Sequence, residues 1–517
     1  MVKIFIDDKP VEVESGTTIF NAAALAGISI PHFCYHPAFS PEGTCRMCLV
    51  EIEGVPKLEL ACSTQVREGM KVHTKSDKVV EARKGVLEFL LADHPLDCPI
   101  CDQAGNCKLQ DYYEEYGLHD SRFSEFKEKH NKKKKLGKNL LHDQERCVLC
   151  RRCVRFLREV TKTQELGVFE RGAHAEINIL DGIPVDNNYS GNLAEICPVG
   201  AITDLDFRFK TRNWFLEEGD SICPHCGRGC NIKIQFNTHF HRFPMAQRVF
   251  RVQARTNPEI NSFWMCDLGR YRYKYLDDNR QLALHVKNGD KNLRREQLPD
   301  FVAEKINRLR YMNKSSRIAL VLNSWLTNEE LFLLKKIFCE DLKIDRVLFA
   351  DPPQAEADDY LLTADRTPNR RGAEEIGFAL TPLDLETLSD RTELLLIFGS
   401  FFSSMANPAE LNALMENIPV TLLFSTHKTE IDPLVNLVIP TPAIPEKSGS
   451  LTNCNGIVQS FSPVMEAPGD SWAEWRFLVD LAKKIGINFQ YYSQFTSPKA
   501  ILKEMKREIP FFERKND

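Results

Sequence analysis

The sequence lacks the features of membrane-spanning and nucleic-acid-binding proteins. Its longest apolar stretches, such as "ELLLIFGSFF" (393–402), are well short of the ~18 residues that a membrane-spanning helix needs. The 67 Lys and Arg residues nearly balance the 72 Asp and Glu residues, and the net charge of −5 provides no basic surface for nucleic acid or anionic lipid. No apolar signal core precedes the first alternating segment, "VKIFIDDKPVEVE". We therefore expect no direct membrane span, no nucleic-acid partner and no secretion signal.

Cysteine is almost absent from the second half of the chain. Fifteen of the 17 cysteines lie between Cys34 and Cys266, and only Cys339 and Cys454 follow. Without a secretion signal, clustered cysteines are more often metal ligands than disulfides. The first half is therefore expected to carry the chemistry, and Cys339 and Cys454 are expected to be spare buried cysteines.

The remaining patterns predict several domains. "VKIFIDD" and "PVEVES" alternate with period two and indicate a hairpin about Asp8-Lys9, followed by a helix capped by Thr17 or Thr18. Residues 76–94 have helical spacing. A lysine run at 127–138 is expected to be a solvated loop, with a docking patch for an acidic partner as the alternative. From about residue 270, short apolar strands alternate with capped helices, which is typical of a doubly wound α/β domain.

Four groups of ligand residues stand out from their spacing. In the first, Cys34-x10-Cys45-x2-Cys48-x13-Cys62 suits a [2Fe–2S] site, with structural zinc as the alternative. The third is the most specific: three cysteines at x2 spacing and a distant Cys-Pro are typical of a [4Fe–4S] cubane. Its ligands are Cys147, Cys150, Cys153 and Cys197. Arginines 151, 152 and 155 lie among them and are expected to stabilise a negative cluster, unless they are only surface charges.

The fourth group is Cys223-x2-Cys226-x3-Cys230-x35-Cys266, which suits [4Fe–4S] and leaves zinc open. Gly227 and Gly229 are expected to turn the backbone and to present N–H groups to the cluster.

The second group, in "DHPLDCPICDQAGNC" (93–107), has only three cysteines, Cys98, Cys101 and Cys107. His94 would complete it, and sixteen ligands would then form four sets of four. An imidazole in place of a thiolate makes a cluster less negative and raises its potential. His32, His36 and His225, by contrast, are expected to be hydrogen-bonding residues.

Three segments resemble the large iron–sulfur subunit of respiratory NADH:quinone oxidoreductase, complex I. They are "DHPLDCPICDQAGNCKLQD", "RCVLCRRCVRF" and "SGNLAEICPVGAITDLDFRFKTRNW". The resemblance covers roughly residues 1–270. It implies a [2Fe–2S] cluster on the Cys34 set, a His/Cys₃ [4Fe–4S] cluster on the His94 set and an all-cysteine [4Fe–4S] cluster on the Cys147 set. The Cys223 set matches a further [4Fe–4S] cluster that only some bacterial members keep.

The second half resembles, more weakly, the molybdopterin-dependent oxidoreductases. The stretch "LVIPTPAIPEKSGSLTNCNGIVQ" (437–459) carries this resemblance. Ile457 stands where an arginine is usual, Leu268 stands where active enzymes often carry lysine, and the region after Cys266 is far shorter than a working catalytic region. The expectation is a trimmed scaffold without molybdopterin.

These resemblances predict a multidomain α+β and α/β chain with an N-terminal β-grasp ferredoxin domain. The expected domains are a [2Fe–2S] domain (1–80), a His/Cys₃ [4Fe–4S] domain (81–140), a Cys₄ [4Fe–4S] domain (141–215), a molybdopterin-oxidoreductase-type [4Fe–4S] domain (216–275) and a doubly wound α/β domain (276–517).

The implied function is one-electron relay from an NADH/FMN module towards quinone, with no catalytic acid or base and no nucleotide fingerprint in residues 1–270. The implied partners are an FMN/NADH-binding subunit, a small [2Fe–2S] subunit and quinone-side subunits, in the peripheral arm on the cytoplasmic side of a bacterial inner membrane. The alternatives are a subunit of a soluble NAD-linked hydrogenase or of a formate dehydrogenase, and a non-redox zinc scaffold.

Overall fold

The computed structural model describes residues 1–117, 120–237, 247–287, 293–405 and 407–513. The chain forms two compact units, Met1–Leu216 and Glu217–Asp517. This boundary lies close to the expected one between residues 215 and 216, while the finer division into five domains stays a prediction. Within the described ranges, no helix combines the length and apolar character needed to cross a bilayer.

The chain begins with a five-stranded sheet of order β2-β1-β5-β3-β4 packed on one helix. Its elements are β1 (Val2–Ile6), β2 (Lys9–Val13), α1 (Ile19–Leu25), β3 (Leu49–Ile52), β4 (Glu59–Leu60) and β5 (Lys71–His73). The predicted hairpin is confirmed, but its turn lies at Asp7 and Asp8, whose φ angles of 46° and 64° suit a two-residue type I′ turn. Thr18 caps α1 by accepting a hydrogen bond from the Asn21 N–H.

The rest of the first unit consists of short elements separated by ligand-bearing loops. They are α2 (Asp77–Asp93), α3 (Lys108–Tyr116), β6 (Lys134–Lys135), β7 (Leu140–His142), α4 (Arg152–Arg155), β8 (Leu166–Phe169), β9 (Glu176–Ile179), α5 (Asn192–Ile196) and β10 (Ile202–Asp204). Strands β10, β7 and β6 form an antiparallel sheet, and β8 and β9 form a hairpin. The predicted helix at 76–94 is α2, and the Ser76 side chain caps it.

The second unit opens with an antiparallel three-stranded sheet and a short helix. These elements are β11 (Glu217–Ile222), β12 (Asn231–Phe236), β13 (Val249–Ala254) and α6 (Asp267–Tyr271). The predicted α/β pattern follows as a six-stranded sheet of order β14-β19-β18-β17-β15-β16, parallel except for the pairing of β14 with β19. The strands of this sheet are β14 (His285–Val286), β15 (Ile318–Leu322), β16 (Val347–Phe349), β17 (Leu394–Phe398), β18 (Val420–Ser425) and β19 (Leu437–Pro440).

The parallel sheet is covered on both faces, as a doubly wound fold requires. In β15, Ile318, Leu320 and Leu322 belong to one hydrophobic cluster, while Ala319 and Val321 belong to another on the opposite face. The helices are α7 (Leu298–Tyr311), α8 (Asn328–Leu334), α9 (Arg370–Glu375), α10 (Leu385–Ser389), α11 (Pro408–Asn417), α12 (Glu474–Ile485), α13 (Phe489–Ser493), α14 (Pro498–Glu508) and α15 (Pro510–Glu513); a separate hairpin is made by β20 (Gly449–Thr452) and β21 (Val458–Phe461).

Two of the helix caps predicted in this unit are confirmed, and one predicted helix start is wrong. Thr327 and Glu330 form the predicted capping box, and the Asn407 side chain caps α11. The helix expected from residue 471 begins instead at Glu474, because the Ser471 hydroxyl donates to the Pro468 carbonyl oxygen (2.7 Å) and does not cap it.

Candidate metal centres

The first ligand set occupies the loop between α1 and β3 and the turn after β4. Cys34, Cys45, Cys48 and Cys62 are all buried, with at most 9% of any side chain exposed. Their thiols interact in two pairs, because the pKa of Cys34 is lowered while that of Cys45 is raised, and the pKa of Cys62 is lowered while that of Cys48 is raised, each mainly by its partner. Two pairs of sulfurs match the two irons of a [2Fe–2S] cluster, each of which takes two thiolates. The Phe33 N–H also donates to Cys45 Sγ (3.4 Å), as cluster-binding loops require.

The second ligand set lines a single cavity of about 730 Å³. His94 is the C-terminal cap of α2, Cys98 begins a one-turn 3₁₀ helix, and Cys107 directly precedes α3. These three residues and Cys101 all contribute to the cavity wall, together with leucines of α2. The structure therefore brings the histidine of the predicted set to the same space as its three cysteines.

His94 has the chemistry of a ligand. Its Nδ1 is buried and has no hydrogen-bond partner among the described residues. Burial lowers the pKa of His94 from 6.5 to about 4, so the ring is neutral at pH 7, as metal binding requires. By contrast, His32 Nδ1 contacts the Ile30 carbonyl oxygen (2.9 Å), and His36 Nδ1 accepts from the Ala38 N–H (3.2 Å), as expected of hydrogen-bonding histidines.

More than half of the residues in the lysine run at 127–138 are exposed, as expected of a solvated loop, but two of its lysines make specific contacts. Lys127 Nζ donates to the carbonyl oxygens of Leu91 (2.6 Å) and His94 (2.7 Å). Lys132 Nζ lies 2.6 Å from a Glu145 carboxylate oxygen. The beginning of the run thus holds the end of α2, where His94 lies.

Gly200 approaches the second set from the turn that follows Cys197. A Cβ atom at this position would lie 2.2 Å from Cys101 Sγ. A side chain at this position would force that sulfur or the backbone to move, because Cβ atoms do not come within 3.0 Å of a nonbonded heavy atom. The position of Cys101 therefore requires glycine at position 200.

The third ligand set surrounds the start of α4. Leu149 and Arg151 adopt left-handed conformations (φ 47° and 57°), which wind the loop. Cys147, Cys150 and Cys153 all lie within electrostatic range of Cys197. Burial raises the pKa of all four thiols, and their mutual proximity raises the pKa of the three loop cysteines further. A metal cluster would stabilise the thiolates that burial disfavours.

The second and third sets are neighbours. Cys197 and Cys107 lie within electrostatic range of each other. The Lys108 N–H, directly after Cys107, donates to the carbonyl oxygen of Pro198, directly after Cys197 (3.0 Å). One backbone hydrogen bond therefore joins the two ligand loops.

The fourth ligand set lies at the junction of β11 and β12 with α6. Cys223, Cys226, Cys230 and Cys266 are buried, and the Cys223 N–H donates to the Cys230 carbonyl oxygen (2.8 Å). A Cβ at Gly269 would lie 2.7 Å from Cys223 Sγ. Burial raises the pKa of Cys223, Cys230 and Cys266, and the neighbouring cysteines of the set raise it further.

The loop of the fourth set is held by hydrogen bonds from the α/β region. The Gly227 N–H donates to the Asp365 carbonyl oxygen (3.0 Å), and the Gly229 N–H donates to the Cys226 carbonyl oxygen (3.3 Å). The expectation that both amides face the cluster is therefore wrong. The Cys454 N–H donates to the Gly227 carbonyl oxygen (2.7 Å), so the β20–β21 hairpin closes over this loop.

The two remaining cysteines are not buried spares, as they were expected to be. Cys339 is half-buried and Cys454 is exposed.

Across the ranges that the structure describes, no three His, Cys, Asp or Glu side chains converge to hold a single metal ion. The ligands of an iron–sulfur cluster need not converge in this way. In a [4Fe–4S] cluster each ligand binds a different iron, and in a [2Fe–2S] cluster two ligands bind each iron, so the ligands surround a larger volume than those of a single metal ion.

The sequence analysis did not connect several residues around these sites with the ligand sets. Gly200, Lys127 and Arg146 act on ligands or ligand loops distant in sequence. Arg146 forms a bidentate ion pair with Asp97 (Nε–Oδ1 3.0 Å, Nη2–Oδ2 2.6 Å), and Asp97 directly precedes Cys98. His142 in β7 is fully buried, and both its ring nitrogens have no partner within the described residues. Arg146 was adjacent to Cys147 in "RCVLC", which was the one available hint.

Three family models match the first unit. Residues 1–77 match a 2Fe-2S iron-sulfur cluster binding domain, residues 83–122 match an NADH-ubiquinone oxidoreductase-G iron-sulfur binding region, and residues 137–203 match the ferredoxin-like domain of NADH-quinone oxidoreductase subunit 3. Each matched segment contains one of the first three ligand sets. The Cys223 set lies beyond these segments.

Curated relatives agree with these matches. The G subunit of NADH-quinone oxidoreductase from Rickettsia felis is 38% identical over 339 residues, which are 65% of this chain and 49% of that protein. Subunit 3 of the Thermus thermophilus enzyme is 39% identical, with 54% and 39% covered. The NADH-ubiquinone oxidoreductase 75 kDa subunit of Reclinomonas americana is 38% identical, with 65% and 47% covered. The chain thus spans about half the length, or less, of these curated relatives.

A solved NAD⁺-reducing [NiFe]-hydrogenase chain is 28% identical, with 41% of this chain and 90% of that chain covered, at a TM-score of 0.37. The family models and the curated relatives together make the chain similar to the G subunit of NADH-quinone oxidoreductase, with a [2Fe–2S] domain and [4Fe–4S]-binding regions.

Proposed function

We propose that this relative of the large complex I iron–sulfur subunit is an electron-relay subunit of an NADH:quinone oxidoreductase. Its role is to pass single electrons from an NADH- and FMN-binding partner towards quinone-side subunits. The observation that carries the proposal is the adjacency of the ligand loops in the first unit, which the Lys108–Pro198 hydrogen bond joins (3.0 Å). Electron transfer needs closely spaced centres, and a chain of separate zinc sites has no need of such contacts.

The ligand assignment belongs to the same proposal. Cys34, Cys45, Cys48 and Cys62 hold a [2Fe–2S] cluster, and the other three sets each hold a [4Fe–4S] cluster. Those sets are His94, Cys98, Cys101 and Cys107; Cys147, Cys150, Cys153 and Cys197; and Cys223, Cys226, Cys230 and Cys266. The clusters supply reversible one-electron reduction, and the chain supplies ligands, burial and charge that set the potentials.

The second unit is proposed to be a molybdopterin-oxidoreductase-like scaffold without molybdenum cofactor. Its doubly wound sheet and the clamped Cys223 loop support this role, since hydrogen bonds from Asp365 and Cys454 tie that loop to the α/β region. The proposed domains are 1–80, 81–140, 141–215, 216–275 and 276–517. The proposed partners are the FMN/NADH-binding, small [2Fe–2S] and quinone-side subunits, in a peripheral arm on the cytoplasmic side of a bacterial inner membrane.

Anaerobic reduction of the isolated complex tests this function. NADH should reduce the clusters within the enzyme's turnover time, as followed by electron paramagnetic resonance (EPR), whereas the chain without its partners should be reduced by dithionite but not by NADH. A Cys147→Ser variant should interrupt electron flow, and Cys339→Ser should not. Rapid reduction by H₂ or by formate, with none by NADH, would favour a hydrogenase or a formate dehydrogenase instead.

A further inference from the structure

A buried arginine joins the loops of the first and third ligand sets. Arg152 Nη1 donates to the carbonyl oxygen of Ile196 (3.2 Å), and Nη2 donates to that of Tyr35. Ile196 directly precedes Cys197 and Tyr35 directly follows Cys34. One guanidinium group therefore holds a ligand segment of each set.

The charge of Arg152 has no carboxylate partner among the described residues. Only 9% of the side chain is exposed, and its hydrogen bonds go to carbonyl oxygens. Its neighbours differ: Arg151 Nη1 lies 3.0 Å and Arg155 Nε lies 3.3 Å from oxygens of Glu42. A buried unpaired charge costs several kcal/mol unless an opposite charge compensates it.

The negative groups that face Arg152 in the described part of the chain belong to the ligand sets. Cys150, Cys197 and Cys34 all lie within electrostatic range of its guanidinium group. Its Nε–H is buried and has no partner among the residues that the structure describes. A donor in this state suits an N–H···S contact to a cluster, where the sulfurs carry negative charge.

We propose that Arg152 is a positioning residue that raises the reduction potentials of the clusters at the first and third sites together and holds their loops at a fixed spacing. The inference rests on the proposed function, because it requires a cluster at each of these sites. Reduction adds one negative charge to a cluster, so a nearby buried cation favours the reduced form. Arg155 also reaches both loops, through the carbonyl oxygens of Cys34 and Cys150, but Glu42 pairs with its charge. Removal of Arg152, whose charge has no carboxylate partner within the described residues, therefore lowers both potentials.

An EPR-monitored redox titration of the complete complex tests this proposal. In Arg152→Gln, both clusters should shift to lower potential, by roughly a tenfold change in the ratio of oxidised to reduced cluster at fixed solution potential. Arg152→Lys keeps the charge and should keep both potentials close to those of the wild type. Arg158→Gln is the matched control, because Arg158 lies on the next turn, is 56% exposed and pairs with Glu159 (2.7 Å).

Two results would overturn the proposal. One is a fully loaded Arg152→Gln protein in which neither potential moves, or in which only one does. The other is loss of iron from the Gln and Lys variants alike with unshifted potentials for the remaining clusters, which would make Arg152 a packing residue only. Failure of the proposed function is a separate result, since it would appear as missing iron and sulfide in the wild-type chain.

Discussion

Substitution of Gly200 by alanine tests how closely the second and third sites depend on each other. The added Cβ would lie 2.2 Å from Cys101 Sγ, whereas ordinary contact begins at 3.4 Å, so the two atoms must separate by about 1.2 Å. The backbone beside Gly200 is held on both sides. The Ala201 carbonyl oxygen accepts from Asp143 (2.8 Å), and the Pro198 carbonyl oxygen accepts from Lys108 (3.0 Å). Cys101 is therefore the group that must move.

The size of this movement decides the outcome. Metal–ligand distances tolerate deviations of about 0.2 Å, so a ligand displaced by about six times as much cannot keep its bond to iron in place. Overpacking of this kind also costs about 1–3 kcal/mol of folding free energy. We expect Gly200→Ala to lose the cluster of the second site, as measured by iron and sulfide content and by its EPR signal.

Gly85→Ala is the matched control for this substitution. Gly85 lies inside α2, and a Cβ there would have no heavy atom within 4 Å. Alanine in a helix interior should stabilise the protein by roughly 0.5–1 kcal/mol and leave the clusters intact. A Gly200→Ala protein with its full iron content, unchanged EPR spectra and wild-type stability would refute the reasoning.

Three further predictions concern His94, Cys223 and the buried carboxylate of Glu329. His94→Cys should keep the second cluster but lower its potential, because a thiolate replaces a neutral imidazole, while His94→Ala should lose about four irons. Cys223→Ser should remove one cluster and destabilise the second unit against urea while NADH still reduces the other clusters, with Cys339→Ser as control. Burial raises the pKa of Glu329 from 4.5 to about 7, so the folded chain holds this proton up to a higher pH than the unfolded chain does. The free energy of unfolding should therefore fall as the pH rises from 4.5 to 7, by an amount on the order of 3 kcal/mol. The Glu329→Gln variant should lack this pH dependence.

Each of these predictions has a contradicting result. An unshifted potential in His94→Cys would remove His94 from the ligand set. A Cys223→Ser protein with blocked electron transfer and normal stability would place that cluster on the current path. Identical pH profiles of urea stability for the wild type and Glu329→Gln would show that the Ser450 N–H and hydroxyl, which both donate to Glu329, keep its carboxylate charged in the folded state.

The sequence predicted the features that depend on local chemistry. The ligand sets can be predicted from their spacing because neighbouring cysteines in one loop must reach one cluster. The capping box at Thr327 can be predicted because its two partners are three residues apart. The burial of β15 and β17 on both faces likewise follows from their uninterrupted apolar residues.

Contacts between distant segments were not predictable. Gly200 meets Cys101, Lys127 meets His94 and Arg152 meets Tyr35 only after folding, and the residues themselves are common in loops. Ser471 had the right identity for a helix cap but found a closer acceptor in the Pro468 carbonyl oxygen. Such competition between local partners depends on backbone geometry that residue identity does not determine.

The central claim, a four-cluster relay, is tested most directly by metal content. Iron, acid-labile sulfide, zinc and molybdenum should be measured per chain on protein purified without oxygen. One [2Fe–2S] and three [4Fe–4S] clusters predict roughly fourteen irons with as many sulfides, little zinc and no molybdenum. Roughly ten irons with one zinc would make one of the four sites a structural metal site. A chain that contains mostly zinc would contradict the electron-relay function.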